Sequence, residues 1–160
     1  MKKIFLLLVT CIPLVLFAQS GPYSITSFLE QGVKAPNTNY IGEAWLKTLI
    51  QADGEINYNI TKATFNKNST LNWHKHSTPQ ILIILEGEGY YQEKGKEPTL
   101  LKKGDVIKCN KDIEHWHTSS KENPVTYLAI YGGAQPTIWT EKLTQTYYDS
   151  VALKLTNAQH

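Results

Sequence analysis

The sequence predicts an all-β domain, either a sandwich or a barrel. Short strand-sized runs recur at near-regular spacing, Gly, Pro and Asn separate them, and only the last stretch suggests a helix. The chain has 160 residues, which favours one domain. Hydrophobic residues make up 41% and charged residues 19%, ordinary for a soluble globular protein and too apolar for a disordered one. It holds no internal repeat and no low-complexity stretch.

Residues 1–20 read as a secretory leader. Lys2 and Lys3 form a positive start, Ile4 to Phe17 is an uncharged, mostly apolar run of 14 residues, and Ala18-Gln19-Ser20 supplies small residues before Gly21. Cleavage after Ala18 is the alternative to cleavage after Ser20. A membrane anchor takes about 20 apolar residues; this run is shorter and holds Pro13. A lipidated Cys11 is disfavoured by Thr10 and by the apolar run continuing past it. The expected destination is the periplasm or the exterior, with no stable membrane association after cleavage. The full chain carries 16 Lys plus Arg against 14 Asp plus Glu; without Lys2 and Lys3 the balance is 14 to 14. A neutral mature chain with no basic run has no electrostatic case for nucleic acid or an anionic membrane.

Residues 21–39, with Pro22 and Pro36, read as an irregular N-terminal arm, and residues 40–140 as the β domain. Thr38 to Leu49 holds Tyr40, Trp45 and Leu49 and is strand-like. Glu55 to Phe65 alternates, with Ile56, Tyr58 and Ile60 on one face and Asn57, Asn59 and Thr61 on the other. Asn66 to Thr70 is a turn. Gln80 to Leu85 is a β-branched strand closed by Gly87 and Gly89; Tyr90 to Glu93 leads into the turn Lys94-Gly95-Lys96. Thr99 to Lys102, Gly104 to Cys109 and Val125 to Tyr131 complete the strands. Thr140 to Leu155 suggests a helix within the C-terminal segment 141–160. Cys109 has no partner once Cys11 leaves with the leader, so no internal disulfide is expected. It reads as a small buried strand residue rather than a metal thiolate.

The histidines carry the chemistry. Apart from the terminal His160, they form two i,i+2 pairs, His74-Lys75-His76 and His115-Trp116-His117. In a strand, residues i and i+2 share a face. Two strands facing one another can therefore bring three or four imidazoles to one point, a donor set for Mn, Fe, Co, Ni, Cu or Zn. A single such pair would read as surface histidines. Trp73 and Trp116 flank the pairs and face the opposite side.

These stretches resemble the two motifs of the cupins, small β-barrel metalloproteins. His74-x-His76, three residues, Gln80, six residues, Gly87 follows the first motif, with Ser69 and Thr70 near the place of its opening Gly. Gly104, Asn110-Lys111-Asp112 and His115 follow the second, with Asn and Asp in place of Pro and Gly. Both are turn residues that tolerate a left-handed backbone, so the tight turn is expected to survive. The resemblance implies a double-stranded β-helix, or jelly-roll, barrel. Its implied metal ligands are His74, His76, Gln80 and His115, with Mn or Fe the expected divalent metal and Zn, Ni, Co and Cu compatible. Most of the family has Glu at the position of Gln80. A neutral ligand there weakens metal binding and sharpens the Lewis acid.

The pattern is most similar to the small cupins that include the manganese-dependent hydroxynitrile lyases. The shared residues are Trp73-His74-Lys75-His76, Gln80, His115-Trp116-His117 and Leu128-Ala129-Ile130. Those lyases place a His where this chain has Tyr127. The resemblance implies His117 and Tyr127 as catalytic groups beside the metal; a core aromatic is the other reading of Tyr127, and a fifth ligand the other reading of His117. Three functions stay open: a Lewis-acid enzyme on a small organic molecule, lyase-like; an Fe or Mn dioxygenase; or a non-enzymatic protein binding a metal or small ligand. A homodimer is expected, since an N-terminal arm can pair with a partner's exposed sheet edge. Phosphate loops, dinucleotide fingerprints and acyl-transfer triad motifs are absent from the sequence.

Overall fold

A computed structural model describes residues 25–133 and 136–158. The leader at 1–20, its cleavage point, Cys11 and His160 lie outside the described residues. The elements in chain order are β1 (Val33–Lys34), β2 (Tyr40–Ile41), β3 (Ala44–Ile50), β4 (Tyr58–Phe65), β5 (Thr70–Leu71), β6 (His74–Lys75), β7 (Gln80–Glu93), β8 (Thr99–Lys102), β9 (Val106–Cys109), β10 (His115–Ser119), β11 (Val125–Gly132), β12 (Ile138–Trp139) and α1 (Gln145–Asn157). All pairings are antiparallel, in the order β1-β3-β4-β11-β7-β10-β6-β12, with β8 and β9 also on β7 and a small β2-β5 pair apart.

The all-β expectation is met by a curled sheet with a cupin-like half-barrel shape. Its hinge is β7, which runs 14 residues where the sequence suggested a strand ending at Gly87 and Gly89. The glycines bend the strand instead of ending it. Residues 80–83 pair with β9 and residues 88–91 with β8. Between them, the register with β11 slips by one residue at Thr126/Tyr127. Gly87 sits at φ +72°, and a Cβ there would lie 1.9 Å from the Pro124 carbonyl oxygen. Only glycine fits so close an approach in that backbone region.

Two other expectations change in detail. The stretch Thr38 to Leu49 is two strands, broken at Gly42 (φ +80°), whose Cα packs against Ser69. In β4 the face bearing Tyr58 and Ile60 is the outer one, and Tyr58 is exposed. The opposite face continues through Thr61 into the buried Ala63 and Phe65. The alternation was legible, but its inward side is set by the C-terminal half of the strand.

The interior is filled by Phe65, Leu71, Leu82, Ile84, Cys109, Val125 and Tyr127. Helix α1 begins at Thr144, whose hydroxyl accepts from Tyr147 N–H, and it buries Tyr148, Val151 and Ala152. Trp73 and Trp116 stack edge to face beneath it, 6.2 Å apart, on the side away from the histidines, as expected. The arm is irregular except for β1, which pairs with the chain's own β3. Lys62, buried in β4, fastens it by donating to the carbonyl oxygens of Phe28 and Glu30. No described helix is long and apolar enough to cross a membrane.

Candidate metal centre

Each histidine owes its place to strand geometry. His74 on β6 and His115 on β10 are direct cross-strand partners, so both side chains enter the same face. Their ring centroids are 4.4 Å apart. His76 follows β6, 5.1 Å from His74 and 5.6 Å from His115. Its backbone carbonyl accepts from Asp112 N–H at 2.8 Å, which docks the second motif's turn on the first motif's loop. Asp112 has φ +61°, so the left-handed turn survives without glycine. His117 stands two residues beyond His115 on the same face, 5.2 Å from His74. Gln80, the first residue of β7, brings its Oε1 within 3.3 Å of His115 Nε2.

The ring nitrogens are oriented by their outer partners. His74 Nδ1 meets the carbonyl oxygen of Asn72 at 3.0 Å, and His115 Nδ1 meets that of Ile113 at 2.9 Å. A carbonyl only accepts, so each Nδ1 carries the proton and each Nε2 presents a lone pair. Both use the same local device, a ring bonded to the carbonyl two residues earlier. His115 Nε2 and Gln80 Oε1 then face one another as two acceptors, an arrangement that a shared cation satisfies. The Nε2 atoms of His76 and His117 are buried without any hydrogen-bond partner.

Burial pushes the pKa of all four imidazoles below the usual histidine value, His76 to about 4. They are neutral, the form that ligates metal. The ligand atoms of His74, His115 and His117 lie within 4.8 Å of one another. The residues present thus fit a divalent metal by donor type, burial, protonation and unpartnered nitrogens.

Beside the imidazoles is a cavity of about 90 Å³, lined by His74, His76, Gln80 and His117 on one side and by Tyr40, Tyr127, Tyr131 and Trp139 among others. No Asp, Glu, Lys or Arg lines it. Tyr127 is fully buried, stacked on Phe65 at 5.7 Å, and its hydroxyl lies 2.6 Å from His117 Nδ1. Tyr131 stacks on His76 at 5.8 Å, and its hydroxyl meets Thr61 Oγ1 at 3.3 Å. Sequence reasoning passed over Tyr131, although it shares the face of Tyr127 and Ala129 in an alternating strand. Tyr40 and Trp139 gave no comparable signal, because they reach the cavity from separate short strands. Cys109 is buried in the interior outside the imidazole cluster.

Residues 61–131 match the model of the cupin domain. The chain has the cupin fold. A cupin-like protein from Thermotoga maritima is similar at 29% identity and a TM-score of 0.74, over 79% of this chain and 97% of that one. A double-stranded β-helix protein from Klebsiella pneumoniae shares the fold at 18% identity and a TM-score of 0.59, over 76% of this chain and 100% of its own length. A DMSP lyase from Ruegeria pomeroyi shares it at 19% identity and a TM-score of 0.54, over 64% of this chain and 52% of the lyase. No curated protein matches the chain significantly in sequence.

Proposed function

We propose that the protein is an exported, metal-dependent cupin enzyme acting on a small organic molecule, in the manner of a lyase. The observation that carries this is a pocket without charged side chains among the described residues, walled on one side by neutral imidazoles of which two present unpartnered nitrogens. His74, His76, His115 and Gln80 would hold a divalent ion, Mn or Fe. Bound there, the ion would supply Lewis-acid polarisation of a substrate oxygen.

The chain's own residues do the rest. Gln80 completes the donor set without adding negative charge. Tyr40, Tyr131 and Trp139 give the pocket an aromatic wall, which lowers the polarity beside the imidazoles and strengthens electrostatic interactions there. At about 90 Å³, with a side open to solvent, the pocket takes a small group of the substrate and leaves the remainder free to extend outward. An uncharged lining favours a neutral molecule. His117 and Tyr127, hydrogen-bonded to one another, are the polar groups placed to hold a substrate oxygen or its proton. The likeness of the histidine motifs to manganese hydroxynitrile lyases, and a DMSP lyase among proteins of the same fold, support a lyase.

The deciding experiment is metal analysis of anaerobically purified protein, followed by a screen of small hydroxy and carbonyl compounds. Substrate-dependent oxygen uptake would move the assignment to a dioxygenase. A bound metal with no exchangeable water would move it to a non-enzymatic binding protein. The export proposal rests on residues 1–20 and is tested by the N-terminal sequence of the mature protein. The homodimer is supported by Ile81 and Val106, which stay 39% and 64% exposed on the outer face of the sheet. Sedimentation as a monomer at micromolar concentration would remove it.

A further inference from the structure

His117 differs from its neighbours in what holds it. His74 and His115 are held by backbone carbonyls, which can only accept. His117 Nδ1 is held by a phenol, which can do either. The direction of that bond follows from the partners that remain. Among the described residues, the Tyr127 hydroxyl has no other hydrogen-bond partner, and His117 Nε2 has none at all. If Nδ1–H donated to the phenol oxygen, the buried phenol proton would be left without an acceptor, beside an unused Nε2 lone pair. If the phenol donates to Nδ1, its proton is satisfied, and the one unpaired donor is Nε2–H, on the imidazole that lines the cavity.

We infer that Tyr127 locks His117 in the tautomer with its proton on Nε2. This makes His117 a hydrogen-bond donor to a ligand oxygen and keeps it out of the metal's donor set. The inference rests on the proposed metal site and divides its four imidazoles by role. His74 and His115 turn lone pairs toward a cation, whereas an Nε2–H repels one. The closeness of His117 to both is therefore not ligation. The ligand it fits presents an oxygen acceptor, such as a carbonyl, hydroxyl or carboxyl group, within reach of both the metal and Nε2–H. Tyr127 is a positioning residue that acts through His117.

Nitrogen-15 NMR of the full mature chain, correlating ring nitrogens with ring protons, reads the tautomers directly. In metal-free protein His74 and His115 are expected as Nδ1–H and His117 as Nε2–H. An Nδ1–H form at His117, or averaging between two forms, overturns the inference. Tyr127→Phe should release His117 into a mixture of tautomers while His74 and His115 keep theirs. A His117 that stays wholly Nε2–H without the phenol removes Tyr127 from the role. If Tyr127→Phe does not fold, the wild-type spectrum decides alone. Titration with Zn²⁺, a diamagnetic probe, should shift Nε2 of His74 and His115 and leave the His117 Nε2–H in place; zinc coordinated at His117 overturns the inference. Failure of zinc to bind any imidazole sinks the metal reading and leaves the tautomer result standing.

Discussion

Gln80 begins β7, and Gln92 stands one residue before its end; both are buried, 4% and 6% exposed. Every group of the Gln92 amide is committed. Its Oε1 accepts from Trp116 Nε1 at 3.0 Å and from the Tyr147 hydroxyl at 2.9 Å, and its Nε2 donates to the Lys96 carbonyl at 2.7 Å. That amide ties helix to sheet. Gln80 has a single side-chain contact, at 3.3 Å, to a nitrogen that presents a lone pair. Residue type and burial are the same at the two ends. Spare bonding capacity separates the two: the Gln92 amide is used up in holding the fold, whereas the Gln80 amide is free to take a further partner.

The contrast can be broken most severely at the joint between the two ends. Gly87→Ala places a Cβ into the Pro124 carbonyl at a positive φ, so both regions should fail together. Destabilisation of about 3 kcal/mol or more is expected, read as loss of a cooperative melt. Next, His115→Ala should strip the Gln80 end alone. Groups that merely orient a metal ligand are worth about 10–100-fold in affinity, so removing a ligand should cost at least that, read as the metal content of the folded protein. Metal retained at full occupancy would refute the site. Gln92→Ala is the mirror experiment. It leaves the fully buried Trp116 N–H without an acceptor, at a cost of about 2 kcal/mol, while metal content should hold. The smallest effect sharpens the comparison: Gln80→Glu should bind metal about tenfold more tightly, one added charge-assisted contact of ~1.4 kcal/mol, and turn over more slowly. A variant that is both tighter and faster points to dioxygenase chemistry.

Period-two runs with turn residues between them are local signals, and they located β4, β8, β9 and β11 to within a few residues. The paired histidines were legible for the same reason, because i,i+2 spacing and a shared strand face are one fact. What was not legible depends on partners distant in sequence. Gly87 and Gly89 look like a strand end until Pro124 and Thr118 are known to press against them. The carbonyls of Asn72 and Ile113 orient their rings through backbone atoms that carry no residue identity. Tyr40 and Trp139 reach the cavity only through the fold, packed edge to face at 5.8 Å.

The Lys62 ammonium under the N-terminal arm sets a limit on how far the chain can be trimmed from that end. Removing residues through Ser20 leaves both of its carbonyl acceptors in place. An exopeptidase that continued inward would meet little resistance at Ile25, which is 84% exposed. At Phe28 and Glu30 each further cut would leave a buried cation with fewer acceptors, destabilising the sheet that carries the cavity wall. The folded domain thus sets its own N-terminal trimming boundary.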